Sequence, residues 1–141
     1  VASQSLQCHI SDDIIACQLG GIVKNILAIK CGMLAGQLNS NKSAAIVSLV
    51  LEELKHIIEQ LGGQPINIIS PAVMGDIFLS CNSPKSRNYQ FGLGLAAGRT
   101  NNEKLVEGVY AASLLKEFLT YKSIKTKNLH SIIDDVLRLS A

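Results

Sequence analysis

The residues best suited to chemistry in this 141-residue sequence are Lys24, Asp76 and the polar stretch from Ser80 to Asn88. Lys24 stands inside the run Leu19-Gly-Gly-Ile-Val-Lys-Asn-Ile-Leu-Ala-Ile29, where most neighbours favour leaving water. A bare ammonium is costly to bury, so its head must reach a cavity, a carboxylate or a ligand. A lysine that lays its stem along an apolar surface and keeps its head in solvent meets the same condition, and is the commoner arrangement. Asp76 follows Gly75 within Ala72-Val-Met-Gly-Asp-Ile-Phe-Leu79, an acid among apolar residues at an irregular turn. Alone it suits a helix cap; taken with Lys24 it suits the partner of a buried ammonium. Lys30 has no comparable signal and reads as a surface or snorkelling residue.

The stretch Ser80-Cys-Asn-Ser-Pro-Lys-Ser-Arg-Asn88 gathers hydroxyls, amides, Lys85 and Arg87 at a predicted helix start. Free backbone N–H groups, the helix dipole and a forked guanidinium together suit a phosphate. The same residues also serve an ordinary capped helix with solvated basic side chains. Metal chemistry is not expected. Cys8, Cys17, Cys31 and Cys81 show no paired ligand spacing, His9, His56 and His130 lie far apart, and the cysteines read as small packed thiols.

The elements that must position these residues follow a helical period. Ser11-Asp12-Asp13 places a capping side chain and two carboxylates ahead of a long apolar run, predicting a first helix over residues 12–35, interrupted or closely packed at Gly20-Gly21. From Asn41, the residues Ile46, Leu49, Val50, Leu54, Ile57 and Leu61 recur at three- and four-residue steps, and Gly62-Gly63 with Pro65 close that helix. Residues 65–88 turn irregular and allow only short elements. Ser83-Pro84 then suits a helix start, as cap and first residue, running to Gly98. Leu105, Val109, Ala112 and Leu119 mark a further helix, and Leu129, Ile132, Ile133, Val136 and Leu137 a last one. No alternating strand is evident, so an all-α single domain is expected.

Composition excludes other classes. Lys and Arg exceed Asp and Glu by 13 to 11 and are scattered, which gives no field for nucleic acid or an acidic membrane. The apolar stretch over residues 14–34 carries Lys24, Lys30 and the glycine pair, and reads as a core helix rather than a membrane span. No secretion signal is seen, so a cytoplasmic location is expected. The sequence opens on Val1 rather than Met, which points to a processed chain, an excised piece or a fragment.

Two motifs carry a family resemblance. The run Ser11 to Ile29, with Gly20-Gly-Ile-Val-Lys-Asn25 at its centre, resembles the segment of bacterial NAD-dependent glycerol-3-phosphate dehydrogenases that holds their Gly-Gly-Ala-Leu-Lys-Asn motif. Met74-Gly-Asp-Ile-Phe-Leu-Ser-Cys-Asn-Ser-Pro-Lys-Ser-Arg-Asn-Tyr-Gln-Phe-Gly92 resembles their second motif, Leu-Gly-Asp followed by Thr-Cys-Thr-Ser-Pro and Ser-Arg-Asn. Weaker similarity continues through Val106-Glu107-Gly108. The resemblance implies an all-helical fold like the C-terminal domain of 6-phosphogluconate dehydrogenase-type proteins. It implies Lys24 as the catalytic lysine, Asp76 as the residue that holds it, and Asn25, Ser80, Arg87 and Asn88 as contacts to substrate or its phosphate. The implied substrates are glycerol 3-phosphate and dihydroxyacetone phosphate, interconverted by hydride transfer with NAD or NADP.

The sequence departs from the family pattern in places. Ser80 stands where threonine is usual, residues 36–40 are poorer in glycine, and Ser48-Leu49-Val50 takes the place of a Thr-Arg-Gly. The larger departure is the Rossmann half, which needs Gly-x-Gly-x-x-Gly between a strand and a helix. The nearest match, Gly92-Leu-Gly94-Leu-Ala-Ala-Gly98, has the wrong final spacing and falls in a predicted helix. Residues 1–141 are therefore expected to be the substrate-binding half with the nucleotide-binding domain absent, inactive alone and binding no cofactor tightly. Its partners would be the substrate, the missing domain and, through an exposed apolar face, a second copy. The alternative is a non-catalytic remnant acting as a structural or dimerising module.

Overall fold

A computed structural model describes residues 10–37, 39–99 and 106–140. Among them the chain forms six α-helices: α1 Ile14–Gly36, α2 Ser40–Gln60, α3 Asp76–Asn82, α4 Arg87–Ala96, α5 Glu107–Tyr121 and α6 Asn128–Ser140. A 3-10 turn, Pro65–Ile69, and a π turn, Pro71–Gly75, connect α2 to α3. The expected all-α single domain is what forms, and the irregular stretch after Pro65 becomes these two short turns.

Helix α1 is the axis of the molecule and touches every other helix. Asp13 starts it: its carboxylate accepts from Ala16 N at 2.9 Å and, from the other oxygen, accepts Gln64 N at 2.8 Å and Asn67 Nδ2 at 2.9 Å. One side chain thus caps α1 and ties it to the loop beyond α2. These donors hold the Asp13 carboxyl below its ordinary value, Ala16 N and Asn67 contributing most, against an opposing push from burial. Among the described residues α1 is the one helix long and apolar enough to cross a membrane. Here 56% of its most apolar stretch is buried inside the protein, and Ala16, Val23, Ile26, Leu27, Ala28 and Ile29 are fully buried in the common core. The helix is not interrupted at its glycine pair. Gly20 is closely packed, since a Cβ there would lie 3.0 Å from Val73 Cγ1.

Helix α2 ends as its glycines require. Gly62 takes φ +87°, Gly62 N donates to Glu59 O and Gly63 N donates to Ile58 O, a Schellman closure. Its buried stripe is Val47, Val50, Leu54, Ile57 and Ile58. Leu49, expected on that stripe, is exposed, and Val47 occupies the inward position instead. Helix α6 is started from a distance: Glu53 of α2 accepts from the backbone N–H groups of Lys127, Asn128 and Leu129 and from Asn128 Nδ2, at 2.8 to 3.0 Å.

The second motif folds differently from expectation at one point. Helix α4 begins at Arg87 rather than after Ser83, with Ser86 Oγ accepting from Tyr89 N at 3.3 Å. Ser83 O takes the N–H of Ser86 at 3.0 Å, so Pro84 serves as the corner of a tight turn and not as a first helical residue. Helices α1 and α4 then cross at very close range. A Cβ on Gly32 would run into the backbone of Tyr89, and one on Gly92 into the backbone of Ile29.

Candidate functional site

Lys24 and Asp76 meet. Lys24 lies near the middle of α1 and Asp76 opens α3, and Lys24 Nζ donates to Asp76 Oδ2 at 2.7 Å. Their side chains are 27% and 36% exposed, so the pair sits at the rim of the core, reachable from solvent. Asp76 makes no capping bond; the π turn before it runs directly into α3, and Gly75 already has helical φ and ψ. Asp76 is thus not a helix cap, and Lys24 pairs with it while keeping part of its side chain in solvent. The ion pair is held by packing on both sides: Gly20 against Val73 fixes α1 to the turn before α3, and Ile77 is fully buried.

Ser80 lies four residues after Asp76 in α3, hence one turn along the same face, and is half-buried. The turn at Ser83 to Ser86 then delivers Arg87 and Asn88 as the first two residues of α4. Arg87 is exposed and Asn88 is 8% exposed. Asn25, next to Lys24, is likewise 8% exposed. Asn88 Nδ2 donates to Asn25 Oδ1 at 3.0 Å, and Asn88 Oδ1 accepts from Gly108 N at 3.0 Å. The first turns of α4 and α5 are in this way hydrogen-bonded to the middle of α1. A groove of about 650 Å³ opens beside this junction between α1 and α5, with Asn25, Gly21 and Ile22 on one wall and Tyr110 and Leu114 on the other.

Some features of the region were not legible beforehand. Lys30, expected as a surface residue, is only 15% exposed and donates to Asp135 Oδ2 at 2.7 Å, while Arg138 Nη2 donates to Asp135 Oδ1 at 3.0 Å. The Lys30 and Arg138 partners hold the Asp135 carboxyl below its ordinary value, with burial opposing them. The partner comes from α6, 105 residues away, and no local pattern announces it. Cys31 of α1 and Cys81 of α3 are buried free thiols in contact with each other. The neighbouring Cys31 and burial together push the Cys81 thiol up. Ser48, at the place of the family threonine, is exposed and returns its hydroxyl to Ala44 O at 3.0 Å, and Leu49, at the place of the arginine, is exposed. Among the described residues no group of three or more His, Cys, Asp or Glu is placed to hold a metal. Cys8 and His9 lie outside the described residues.

An all-helical domain built on one long central helix, with a lysine–aspartate pair beside a polar turn, has the architecture of the C-terminal helical domain in 6-phosphogluconate dehydrogenase-type proteins. A crystal structure of glycerol-3-phosphate dehydrogenase from Coxiella burnetii shares it with a TM-score of 0.85 and 27% identity, over 97% of this chain and 47% of that one. The chain belongs to the family of the NAD-dependent glycerol-3-phosphate dehydrogenase C-terminus, whose pattern matches residues 13–140. Similar proteins include the glycerol-3-phosphate dehydrogenase [NAD(P)+] of Chelativorans sp. (strain BNC1), 33% identical over 134 residues that make up 94% of this chain. The protein of the same name from Francisella tularensis subsp. holarctica is 36% identical over 124 residues, or 83% of the chain. The chain spans about two fifths of the length of these relatives, 41% and 37% respectively.

Proposed function

We propose that this chain is the part of a glycerol-3-phosphate dehydrogenase that binds the substrate and handles the proton on its reacting oxygen. The observation that carries the reading is the ion pair between Lys24 and Asp76, two residues matched to the family motifs and brought together from positions 52 apart. An ammonium held at the edge of the core, reachable from solvent, can hydrogen-bond the carbonyl oxygen of dihydroxyacetone phosphate and stabilise the charge that grows there. As the carbonyl carbon accepts hydride, the oxygen takes a proton from Lys24 Nζ, giving the secondary hydroxyl of glycerol 3-phosphate; in the reverse direction neutral Lys24 removes that proton. Asp76 keeps the ammonium aimed. Ser80 offers a hydroxyl on the same face, and Asn25, Arg87 and Asn88 form the polar end suited to the phosphate, next to the N-terminus of α4.

The nicotinamide cofactor supplies the hydride when bound, and the residues described here do not suit a dinucleotide. The nearest glycine pattern, at Gly92, Gly94 and Gly98, lies within and at the end of α4, and Gly92 is packed against the backbone of Ile29. No free strand-to-helix loop exists there for a pyrophosphate to approach. The 141 residues alone are therefore expected to bind substrate without turning it over. Calorimetric titration separates this reading from a purely structural module. Saturable heats with glycerol 3-phosphate and dihydroxyacetone phosphate, but not with glycerol, are expected; equal indifference to all three would favour the structural module. In the same preparation, NADH with dihydroxyacetone phosphate should show no steady oxidation, and sustained turnover would overturn the half-site account.

A further inference from the structure

Helices α1 and α3 run side by side in the same direction, and three pairs mark the seam between them. Gly20 packs on Val73 just before α3, and Lys24 pairs with Asp76 at its start. Cys31 and Cys81 form the third pair, further along both helices. Cys31 follows Lys24 by seven residues, two turns of α1, and so lies on the same face; Cys81 lies five residues beyond Asp76 in α3. Both thiols are free, at 2% and 3% exposure, and the chemistry proposed for Lys24 and Asp76 uses neither. The two sulfurs do not hold their protons equally. The Cys81 thiol donates to Cys31, and the Ser43 hydroxyl from α2 donates to it as well, which holds Cys31 below its ordinary value against the push of burial. The same contact and burial push Cys81 up, so when one proton leaves the pair the charge settles on Cys31.

We propose that Cys31 and Cys81 are an oxidisable dithiol, a modification site at which a small oxidant of the peroxide class joins α1 to α3 by a disulfide. The Cys31 thiolate attacks one peroxide oxygen and breaks the O–O bond; the departing hydroxide takes up the proton that Cys31 released, and Cys31 is left as a sulfenic acid. Cys81 then attacks the Cys31 sulfur, the S–O bond breaks, and the hydroxyl leaves as water with the Cys81 proton. Two thiols are oxidised to one disulfide and one peroxide is reduced to two waters. The oxidant enters from the α3 side. Cys81 is the next-to-last residue of a seven-residue helix, between half-buried Ser80 and exposed Asn82, and the last turn of a short helix opens more readily than the buried axis α1. Bond formation brings the sulfurs from contact to about 2 Å, so the far end of α3 tightens onto α1 behind the Lys24–Asp76 pair.

The main test needs no substitution. The reduced 141-residue chain is treated with a small molar excess of hydrogen peroxide under native conditions, the remaining thiols are alkylated in urea, and trypsin digestion follows without reductant. Cleavage after Lys24, Lys30, Lys42, Lys55 and Lys85 leaves Cys31 in residues 31–42 and Cys81 in residues 56–85, while Cys8 and Cys17 share residues 1–24. Peptides 31–42 and 56–85 should appear joined, lighter by two hydrogen atoms than the sum of the two thiol peptides, and dithiothreitol should separate them. In folded Cys81→Ser, where a hydroxyl still donates to residue 31, oxidation should stop at a Cys31 sulfenic acid that dimedone traps. Recovery of 31–42 and 56–85 as separate alkylated peptides from the unsubstituted chain would overturn the proposal, as would linkage of either one to residues 1–24 in its place. Failure of dimedone to label Cys31 in folded Cys81→Ser would overturn the order of attack.

Discussion

Glu53 shows how much one side chain can organise. Its carboxylate accepts three backbone N–H groups and one amide N–H at the start of α6, which leaves that helix's first donors satisfied by a residue of α2. Burial raises the Glu53 carboxyl, but the donors at Asn128, Leu129 and Lys127 outweigh it and the net position is below the ordinary value. A folded-state value below the unfolded one means that the stabilisation is fully present above the unfolded value and is lost as pH falls through the folded one. Asp13 and Asp135 have the same sign. Glu53→Gln should therefore cost about 1–2 kcal/mol at neutral pH. Urea unfolding followed at pH 7 and pH 3 should show a smaller loss of stability on acidification in the variant than in the parent. At this scale the sequence was readable where a residue breaks its local pattern. Lys24 and Asp76 stand out because each is a charge in an apolar run. Lys30 and Glu53 do not stand out, since their roles depend on partners more than 70 residues away.

Helix ends and crossings set the element scale. Helix α5 ends with Ser123 at φ 56°, Ser123 N donating to Thr120 O and Ile124 N donating to Leu119 O, the same closure that Gly62 provides for α2. A non-glycine residue is strained in that conformation. Ser123→Gly should raise stability by about 0.5–1 kcal/mol, read as a higher urea midpoint with an unchanged slope. Gly92→Ala should do the reverse. Its methyl has nowhere to go between α4 and the Ile29 carbonyl, so a loss of roughly 3 kcal/mol is expected, with α1 and α4 forced apart. The long amphipathic and apolar helices were legible from their period to within a few residues, as α1, α2, α5 and α6 show. The start of α4 was not, because Ser83-Pro84 and Ser86-Arg87 both satisfy the rules for a helix start. Tertiary contact decides between them: α4 must bring Tyr89 and Gly92 against Gly32 and Ile29.

The whole molecule is a helical domain wrapped on α1, and its shape explains the division of labour proposed for it. The lysine–aspartate pair and the polar turn lie between α1 and the α3–α4 segment, and the groove lies between α1 and α5, so both are read from the one helix that touches every other helix. The family motifs made the residues of this region legible in the sequence; the Gly108 link and the groove needed the packing of α5 on α1. The most direct measurement is a glycerol 3-phosphate titration of the isotope-labelled chain by NMR, repeated with Lys24→Ala. Saturable shifts centred on Lys24, Asp76, Ser80, Arg87 and Asn88, and weakened in the variant, are the predicted result. Shifts absent from this region at saturating ligand, or identical in Lys24→Ala, would contradict the claim that this domain holds the substrate through the Lys24 site.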